Sequence, residues 1–228
     1  VRHQAPTAKE PRRMKVVVIT GASSGIGAAT AEHLAKTTDH RLVLVARRKD
    51  ALEAVAARCA GKATTIAGDM EQRASVRAVI SRTIEQQNRI DCWVNNVGRG
   101  ITRAPSQLSD EDVAAMMQAN VMSSLYGMQE LLPHFKERGE GHFINVSSQL
   151  GRLPAATFRS AYTASKHYLN ALTAMFRDEV SQTHPNIRFS IVSPGLVGTD
   201  FGIHALHGGP DSRSLHDPQD VKEVAAVL

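Results

Sequence analysis

The sequence predicts an α/β fold in which helices cover both faces of a doubly wound parallel sheet. Three observations lead to this expectation. Short runs rich in β-branched residues alternate with helical stretches, a glycine-rich turn directly follows the first run, and polar residues follow the later runs. With 228 residues and 42% hydrophobic content, the chain can bury one core of this kind. We therefore expect a single domain over residues 14–228.

The first predicted strand covers residues 15–20, and the helix after it covers residues 28–36. The turn between them has the spacing G-x-x-x-G-x-G. Strand, glycine turn and helix is the form of a Rossmann-type dinucleotide-binding site, because glycines let the backbone approach a pyrophosphate and the helix N-terminus offers N–H groups to it. A purely structural loop is the alternative. The turn residues that we assign to a dinucleotide are Gly21, Ser23, Ser24, Gly25, Ile26 and Gly27.

The second predicted strand, residues 41–46, ends in Arg47 and Arg48. An acid at this point of such a fold binds the free ribose 2′-hydroxyl of NAD, whereas an arginine accommodates the 2′-phosphate of NADP. No acid stands at this strand end. The pair therefore favours NADP(H) as the cofactor over NAD(H). Two solvated arginines that begin a helix are the alternative.

Four more strands are predicted over residues 63–67, 91–94, 142–146 and 187–192, with helical stretches between them. The carboxyl ends of parallel strands meet at one edge of the sheet, and ligands of such sheets bind beyond that edge. The residues that follow these strands are therefore candidates for the same site: Asp69, Met70, Asn95, Asn96, Val97, Gly98, Ser148, Pro194 and Gly195.

Tyr162 and Lys166 form the most informative pair in the chain. Their spacing of four residues places both side chains on one face of a helix. A phenol titrates near pH ~10 when unperturbed, and a nearby cation lowers its pKa by favouring the phenolate. The pair can therefore make an acid/base group that works near neutrality. Two neighbours on a wet helix face are the alternative for the pair alone.

Together these motifs resemble the short-chain dehydrogenase/reductase family. The family's motifs occur in its order and at its usual distances from residue 15 onward, with Val97 where alanine is commonest. The matching pieces are residues 20–27, Asn95-Asn96-Val97-Gly98, Ser148, Tyr162-x-x-x-Lys166 and Pro194-Gly195. The resemblance also implies that Val197 and Thr199 contact the cofactor.

The resemblance implies a role for each of four residues. Tyr162 would be the general acid/base, and Lys166 would lower its pKa and hold the nicotinamide ribose. Ser148 would hydrogen-bond the substrate oxygen, with the adjacent Ser147 as the fallback because only one of the two can face the cleft. Asn120 would help to hold a water near the lysine.

The expected activity is hydride transfer between NADP(H) and a small-molecule carbonyl or secondary alcohol substrate. A non-catalytic sensor or regulator that binds a dinucleotide on the same fold is the alternative, although a sensor has no use for Ser148, Tyr162 and Lys166 together. Substrate choice is expected to depend on residues 99–106, 151–158 and 198–216. No metal-ligand spacing is present in the sequence.

The family commonly pairs through the helix expected here over residues 110–136, so a homodimer or homotetramer is expected. This helix carries many apolar residues: Met116, Met117, Val121, Met122, Leu125, Met128, Leu131 and Leu132. A wide stripe that faces the chain's own core is the alternative explanation.

The net charge of +5 comes largely from a basic leader over residues 1–13, which we expect to be disordered. A nucleic-acid partner is therefore not expected, nor is a membrane partner, because no apolar run approaches the ~20 residues of a membrane span. Two cysteines and no secretory leader favour the cytoplasm. Asp217 and Pro218 predict the start of a last helix, and we expect the chain to be truncated inside it.

Overall fold

The structure is a computed structural model that describes residues 13–228. The predicted leader over residues 1–13 lies outside these residues except for Arg13. Six parallel strands form one sheet in the order β3-β2-β1-β4-β5-β6, which confirms the predicted α/β fold with a doubly wound parallel sheet. The strands are β1 (Val16–Thr20), β2 (Arg41–Ala46), β3 (Ala63–Ala67), β4 (Cys92–Asn95), β5 (Gly141–Val146) and β6 (Ile187–Val192).

Alternate residues of β1 face two separate cores. Val16 and Val18 pack with Trp93 on one face of the sheet, and Val17 and Ile19 pack on the other. A parallel strand covered on both faces reads as a continuous apolar run for this reason. The order of the strands reverses between β1 and β4, and this switch point is where ligands of such sheets bind.

Helices cover both faces of the sheet. Helices α3, α5 and α6 pack on the face that contains Trp93, α1 and α2 pack on the opposite face, and α7 packs against α1. No helix in the described part of the chain is long and apolar enough to cross a bilayer. The helices are α1 (Gly25–Thr37), α2 (Lys49–Ala57), α3 (Arg73–Gln87), α4 (Asp110–Met117), α5 (Ser123–Arg138), α6 (Ser160–Ser181) and α7 (Val221–Val227).

The helix expected over residues 110–136 contains a π-helical turn, Gln118–Met122, between α4 and α5. Most of its apolar residues belong to the chain's own core. Met116, Val121, Met128, Leu131 and Leu132 are buried, while Met117, Met122 and Leu125 are half-buried. The apolar stripe is thus largely explained within one chain, and the homodimer or homotetramer stays a prediction.

The last helix does not begin at Asp217 and Pro218, so that prediction was wrong. Asp220 is the N-cap of α7, and its carboxylate accepts the N–H of Lys222 at 2.8 Å. The chain before it is not helical, because the Gln219 N–H donates to the carbonyl of Leu196 at 2.7 Å and Asp217 has a φ of +51°. This pairing keeps residues 217–219 out of the helix and fastens them beside the loop after β6.

A buried polar network joins β4, β5 and α6. The indole N–H of Trp93 donates to Asn95 Oδ1 at 2.7 Å, and Asn95 Nδ2 donates to Asn145 Oδ1 at 2.8 Å. Asn145 Nδ2 in turn donates to Thr173 Oγ1 at 2.8 Å. Each of these four residues is at most 3% exposed. Each hydrogen bond therefore replaces one that the polar group makes with water in the unfolded chain.

Thr173→Val should destabilise the protein more than the matched variant Thr83→Val. Both hydroxyls are fully buried and donate to the carbonyl four residues earlier, at 2.6 and 2.8 Å. Only Thr173 also accepts the amide of Asn145, and a buried donor left without a partner costs about 1–3 kcal/mol. Urea unfolding should show an extra loss of that size for Thr173→Val. Equal losses would mean that the network contributes nothing.

Candidate active site

A cavity of about 800 Å³ opens at the carboxyl edge of the sheet. Residues that follow every strand of the described sheet contribute to its wall. Most residues that the sequence assigned to a site lie there: Gly21, Ser23, Ser24, Gly25, Ile26, Arg47, Arg48, Asp69, Met70, Asn96, Val97, Gly98, Ser148, Tyr162, Lys166, Pro194, Gly195, Val197 and Thr199. Gly27, Asn95 and Asn120 are not part of the wall, and they act behind it.

The glycine turn is shaped by close backbone contacts. Gly21 and Gly25 have φ values of +64° and +53°, which favour glycine. A Cβ on Gly27 would lie 2.5 Å from the carbonyl oxygen of Gly21, so no side chain fits there. Helix α1 begins at Gly25, its N-cap Ser24 makes no side-chain capping bond, and its first turn carries no acid. The turn and the helix N-terminus therefore suit the pyrophosphate of a dinucleotide.

Asn96 holds the glycine turn in place. Its Nδ2 donates to the carbonyls of Thr20 and Gly21 at 3.1 and 3.2 Å, and its backbone N–H donates to Thr20 Oγ1 at 3.0 Å. The Thr20 hydroxyl donates to the carbonyl of Val94 at 2.9 Å. The two asparagines of the motif thus have different tasks, since Asn95 belongs to the interior network and Asn96 ties β4 to the turn after β1.

Arg47 and Arg48 form the rim where the adenosine end of a dinucleotide would lie. The Arg47 guanidinium lies 3.9 Å from Glu71 Oε1, and its side chain is 63% exposed. An exposed ion pair at that distance is weak. The arginine is therefore free to turn towards an anionic ligand.

Helix α6 and the end of β5 bring the chemically active groups together. Lys166 Nζ donates to the carbonyl of Val146 at 2.8 Å and lies 5.7 Å from the centre of the Tyr162 ring. The Ser148 side chain lies close enough to the Tyr162 phenol to lower its pKa, and its hydroxyl accepts the N–H of Leu150 at 3.2 Å. The hydroxyl of Ser147 is buried without a partner among the described residues, beside Gly151. Ser148 rather than Ser147 therefore faces the tyrosine.

Burial dominates the titration of both groups. Burial raises the pKa of Tyr162, while the neighbouring Ser148 side chain and the charge of Arg159 lower it. It lowers the pKa of Lys166 to about 8. The sequence led us to expect Lys166 as the cation that lowers the phenol's pKa. Arg159 is a second cation near the phenol, and the Lys166 ammonium donates to the carbonyl of Val146, so the effect of Lys166 on the pKa of Tyr162 stays a prediction.

Asn120 lies in the π-helical turn and fastens the loop after β4 to α6. Its Oδ1 accepts the backbone N–H of Arg99 at 2.7 Å, and its Nδ2 donates to the Arg99 carbonyl and to Ser165 Oγ, both at 3.0 Å. A Cβ on Gly98 would lie 3.0 Å from Asn120 Oδ1 and 3.5 Å from Lys166 Nζ. Gly98 therefore lies close to both Asn120 and Lys166, and a role of Asn120 near the lysine stays a prediction.

Sequence reasoning missed Arg159 and did not single out Phe201, which both line the cavity. Arg159 Nη1 donates to the carbonyl of Ile101 at 3.2 Å and to Thr102 Oγ1 at 3.3 Å. The ring of Phe201 meets that of Tyr162 edge-on, with centroids 5.6 Å apart. The position of Arg159, three residues before Tyr162 at the start of the same helix, is the signal that could have found it.

Comparison with known proteins identifies relatives along almost the whole chain. A protein from Schizosaccharomyces pombe named NADP-dependent 3-hydroxy acid dehydrogenase is 33% identical over 92% of this chain and 85% of its own. A Drosophila melanogaster protein named dehydrogenase/reductase SDR family protein 7-like is 32% identical over 97% of this chain and 69% of its own.

A solved structure shares the fold closely. The alcohol dehydrogenase from the archaeon Thermococcus sibiricus, complexed with 5-hydroxy-NADP, superposes with a TM-score of 0.82 at 28% identity. It covers 94% of this chain and 88% of that one. The family model described as short chain dehydrogenase matches residues 15–207. The chain therefore belongs to the short-chain dehydrogenase/reductase family of oxidoreductases, as its motifs predict.

Proposed function

We propose that this protein transfers a hydride between NADP(H) and a carbonyl or secondary alcohol substrate, with Tyr162 as the general acid/base. The observation that carries the proposal is the convergence of Tyr162, Ser148 and Lys166 on one wall of the cavity, all at most 9% exposed. The names of the fission yeast relative and of the archaeal alcohol dehydrogenase support both the chemistry and the cofactor.

The residues of the cavity fit a nicotinamide dinucleotide, which supplies or accepts the hydride when it is bound. The glycine turn and the N-terminus of α1 would hold its pyrophosphate, Arg47 and Arg48 its 2′-phosphate, and Lys166 its nicotinamide ribose. Asp69, Met70, Val97, Gly98, Pro194, Gly195, Val197 and Thr199 would line its path.

The proton moves at the hydroxyl of Tyr162. Because burial raises its pKa, the phenol is protonated near neutrality and can donate to a substrate carbonyl oxygen. Ser148 would hydrogen-bond the same oxygen. Lys166 is charged below about pH 8, so its field favours the phenolate that donation leaves behind.

A dinucleotide sensor on the same fold is the competing function. A sensor needs the glycine turn and the rim arginines but has no use for a buried ammonium, which costs stability.

We also propose that the protein acts in the cytoplasm as a homodimer or homotetramer. Tyr168 and Met175 are exposed on α6, and α6 packs against α4, the first part of the helix through which pairing is expected. These two exposed side chains therefore support self-association.

Tyr162→Phe should remove most activity and leave cofactor binding intact. The ring keeps its contact with Phe201, and only the transferable proton is lost. General acid/base catalysis contributes typically ~10²–10⁴-fold, so kcat for the best ketone of a panel should fall by that factor. Tyr168→Phe is the matched control, because Tyr168 lies on the same helix but is 51% exposed. A Tyr162→Phe protein with near-normal kcat would remove the tyrosine from the mechanism.

Lys166→Met should abolish activity and change the pH dependence of stability. The pKa of Lys166 falls from its ordinary 10.5 to about 8 on folding. Between those values the unfolded chain holds a proton that the folded chain has lost, so this group makes wild-type stability rise with pH. The variant lacks that rise. Its free energy of unfolding relative to wild type should therefore fall on going from pH 7 to pH 10, by on the order of 3 kcal/mol.

Urea unfolding at the two pH values measures this change. Lys36→Met, at an exposed position of α1, controls for the loss of any lysine. A difference between Lys166→Met and wild type that does not vary with pH would show that the ammonium is not held in a dry site.

Arg47→Asp should reverse the cofactor preference. Each charge-assisted bond to a 2′-phosphate is worth roughly 1.5–3 kcal/mol, which corresponds to about ten- to a hundredfold in affinity. We expect wild-type kcat/KM to favour NADPH by that factor and the preference to shrink as salt rises. An aspartate would repel the phosphate and accept the free hydroxyl of NADH. Arg82→Asp, on the exposed side of α3, makes the same charge change away from the cavity. Equal or better kcat/KM with NADH in the wild type would refute the preference.

A further inference from the structure

Arg159 brings an unpaired positive charge into the part of the cavity that holds Tyr162. It is the N-cap residue of α6, and it lies three residues before Tyr162. Its Nη1 is used by the Ile101 carbonyl and Thr102 Oγ1. Its Nε and Nη2 have no hydrogen-bond partner within residues 13–228, and no carboxylate of those residues forms an ion pair with it. The guanidinium therefore keeps donors free for another group.

The surroundings of Arg159 are apolar and close. The guanidinium carbon lies 5.5 Å from the centre of the Phe158 ring. A Cβ on Gly100 would lie 3.3 Å from Arg159 Nη1 and 3.0 Å from the Phe201 ring. A side chain at position 100 would therefore crowd the guanidinium and the phenylalanine. The Arg159 side chain is half-buried, and burial lowers its pKa.

Two other half-buried arginines, Arg103 and Arg138, are neutralised by acids, whereas Arg99, which also lines the cavity, forms no ion pair with the described residues. Arg138 donates to Asp91 at 3.0 Å, and Arg103 lies 3.5 Å from Asp112. A desolvated cation is expensive without a counter-ion. Arg103 and Arg138 each have a carboxylate as counter-ion, whereas Arg159 faces the cavity. A counter-ion for Arg159 would therefore come from a molecule that enters the cavity.

We propose that the substrate is an oxo acid or hydroxy acid whose carboxylate binds Arg159 while its carbonyl or hydroxyl oxygen lies at Tyr162. This inference rests on the proposed function and names the substrate class of the same site. Side chains three apart at the start of a helix are about 5–6 Å apart at their Cβ atoms, which suits a carboxylate a few bonds from the reacting carbon. The carboxylate takes no part in the redox step, and it positions the molecule.

The apolar residues of the cavity wall determine which substituent the acid substrate can have. Leu150, Phe158 and Phe201 line the cavity beside the guanidinium. An aliphatic or aromatic substituent of the acid would bury itself against them. Arg99 also lines the cavity and adds to its positive potential, so neutral ketones of the same shape are poorer substrates than the acids.

The test compares an acid with its methyl ester, which has the same reacting carbonyl and no charge. The pairs are 3-oxobutanoate and 4-oxopentanoate with their methyl esters, reduced by the protein with saturating NADPH. Wild type should show a kcat/KM about 10- to 100-fold higher for the acid of at least one pair, the range of a charge-assisted contact. Arg159→Met should lower the ratio of acid to ester at least tenfold, and Arg159→Lys should restore part of it. Arg152→Met, at an exposed position outside the cavity wall, should keep the wild-type ratio.

Any one of four results would overturn the inference. Wild type could treat acid and ester alike, or Arg159→Met could leave their ratio unchanged. Arg159→Met could also weaken NADPH binding tenfold without changing the ratio, which would assign the guanidinium to the cofactor. If neutral ketones are turned over and the acids are not, the substrate class is wrong although the proposed function stands.

A separate measurement covers the case in which nothing is turned over. Calorimetric titration of 4-oxopentanoate into NADP-loaded wild type and Arg159→Met reports carboxylate binding without catalysis. Binding that the variant lacks would support the anion site even if the proposed oxidoreductase function fails. The absence of binding to wild type would overturn the anion site itself.

Discussion

The hydrogen bond between Lys166 and the end of β5 is the interaction on which the site depends. The ammonium is 4% exposed and donates to a neutral carbonyl, that of Val146, at 2.8 Å. That bond holds α6 against the end of β5, two residues before Ser148, and so it keeps the phenol of Tyr162 near the serine. No carboxylate among the described residues neutralises this charge. The folded chain therefore keeps a charge that destabilises it, at the place where its field can act on a reacting oxygen.

Asparagines build the frame around this charge. Asn95 and Asn145 fill the interior between β4, β5 and α6, Asn96 ties β4 to the glycine turn, and Asn120 fastens the loop after β4. An amide suits this work because it both donates and accepts, and it can join two backbone segments that regular strands and helices leave unpaired. Asn95 and Asn96, which the sequence assigned to cofactor binding, thus hold other parts of the site in position.

The sheet could be predicted from the sequence because buried parallel strands leave a direct trace. The predicted bounds of β2, β3 and β6 match the structure, those of β1 and β5 differ by one residue at one end, and β4 is shifted by one residue at both ends. The cavity wall followed from the rule that strand ends meet at one edge. The π-helical turn was not predicted, since its only trace in the sequence is a shift of the apolar pattern by one residue within a long helical stretch. Asp220 was missed in favour of Asp217 because the deciding contact, the pairing of Gln219 with Leu196, joins distant loops. Arg159 was missed because its isolation from acids exists only in three dimensions.

The π-helical turn also sets the rotational phase of the helices on either side of it. In a regular α-helix Met116 and Met128 would point about 120° apart, yet both are fully buried. The extra residue of a π-turn takes up about 100° of that angle and leaves about 20°. The wide turn therefore acts as a one-residue insertion that both flanking helices tolerate. Asn120 lies within this π-helical turn. The local change of helical pitch therefore accommodates Asn120 near the site while the flanking helices keep their buried faces in the core.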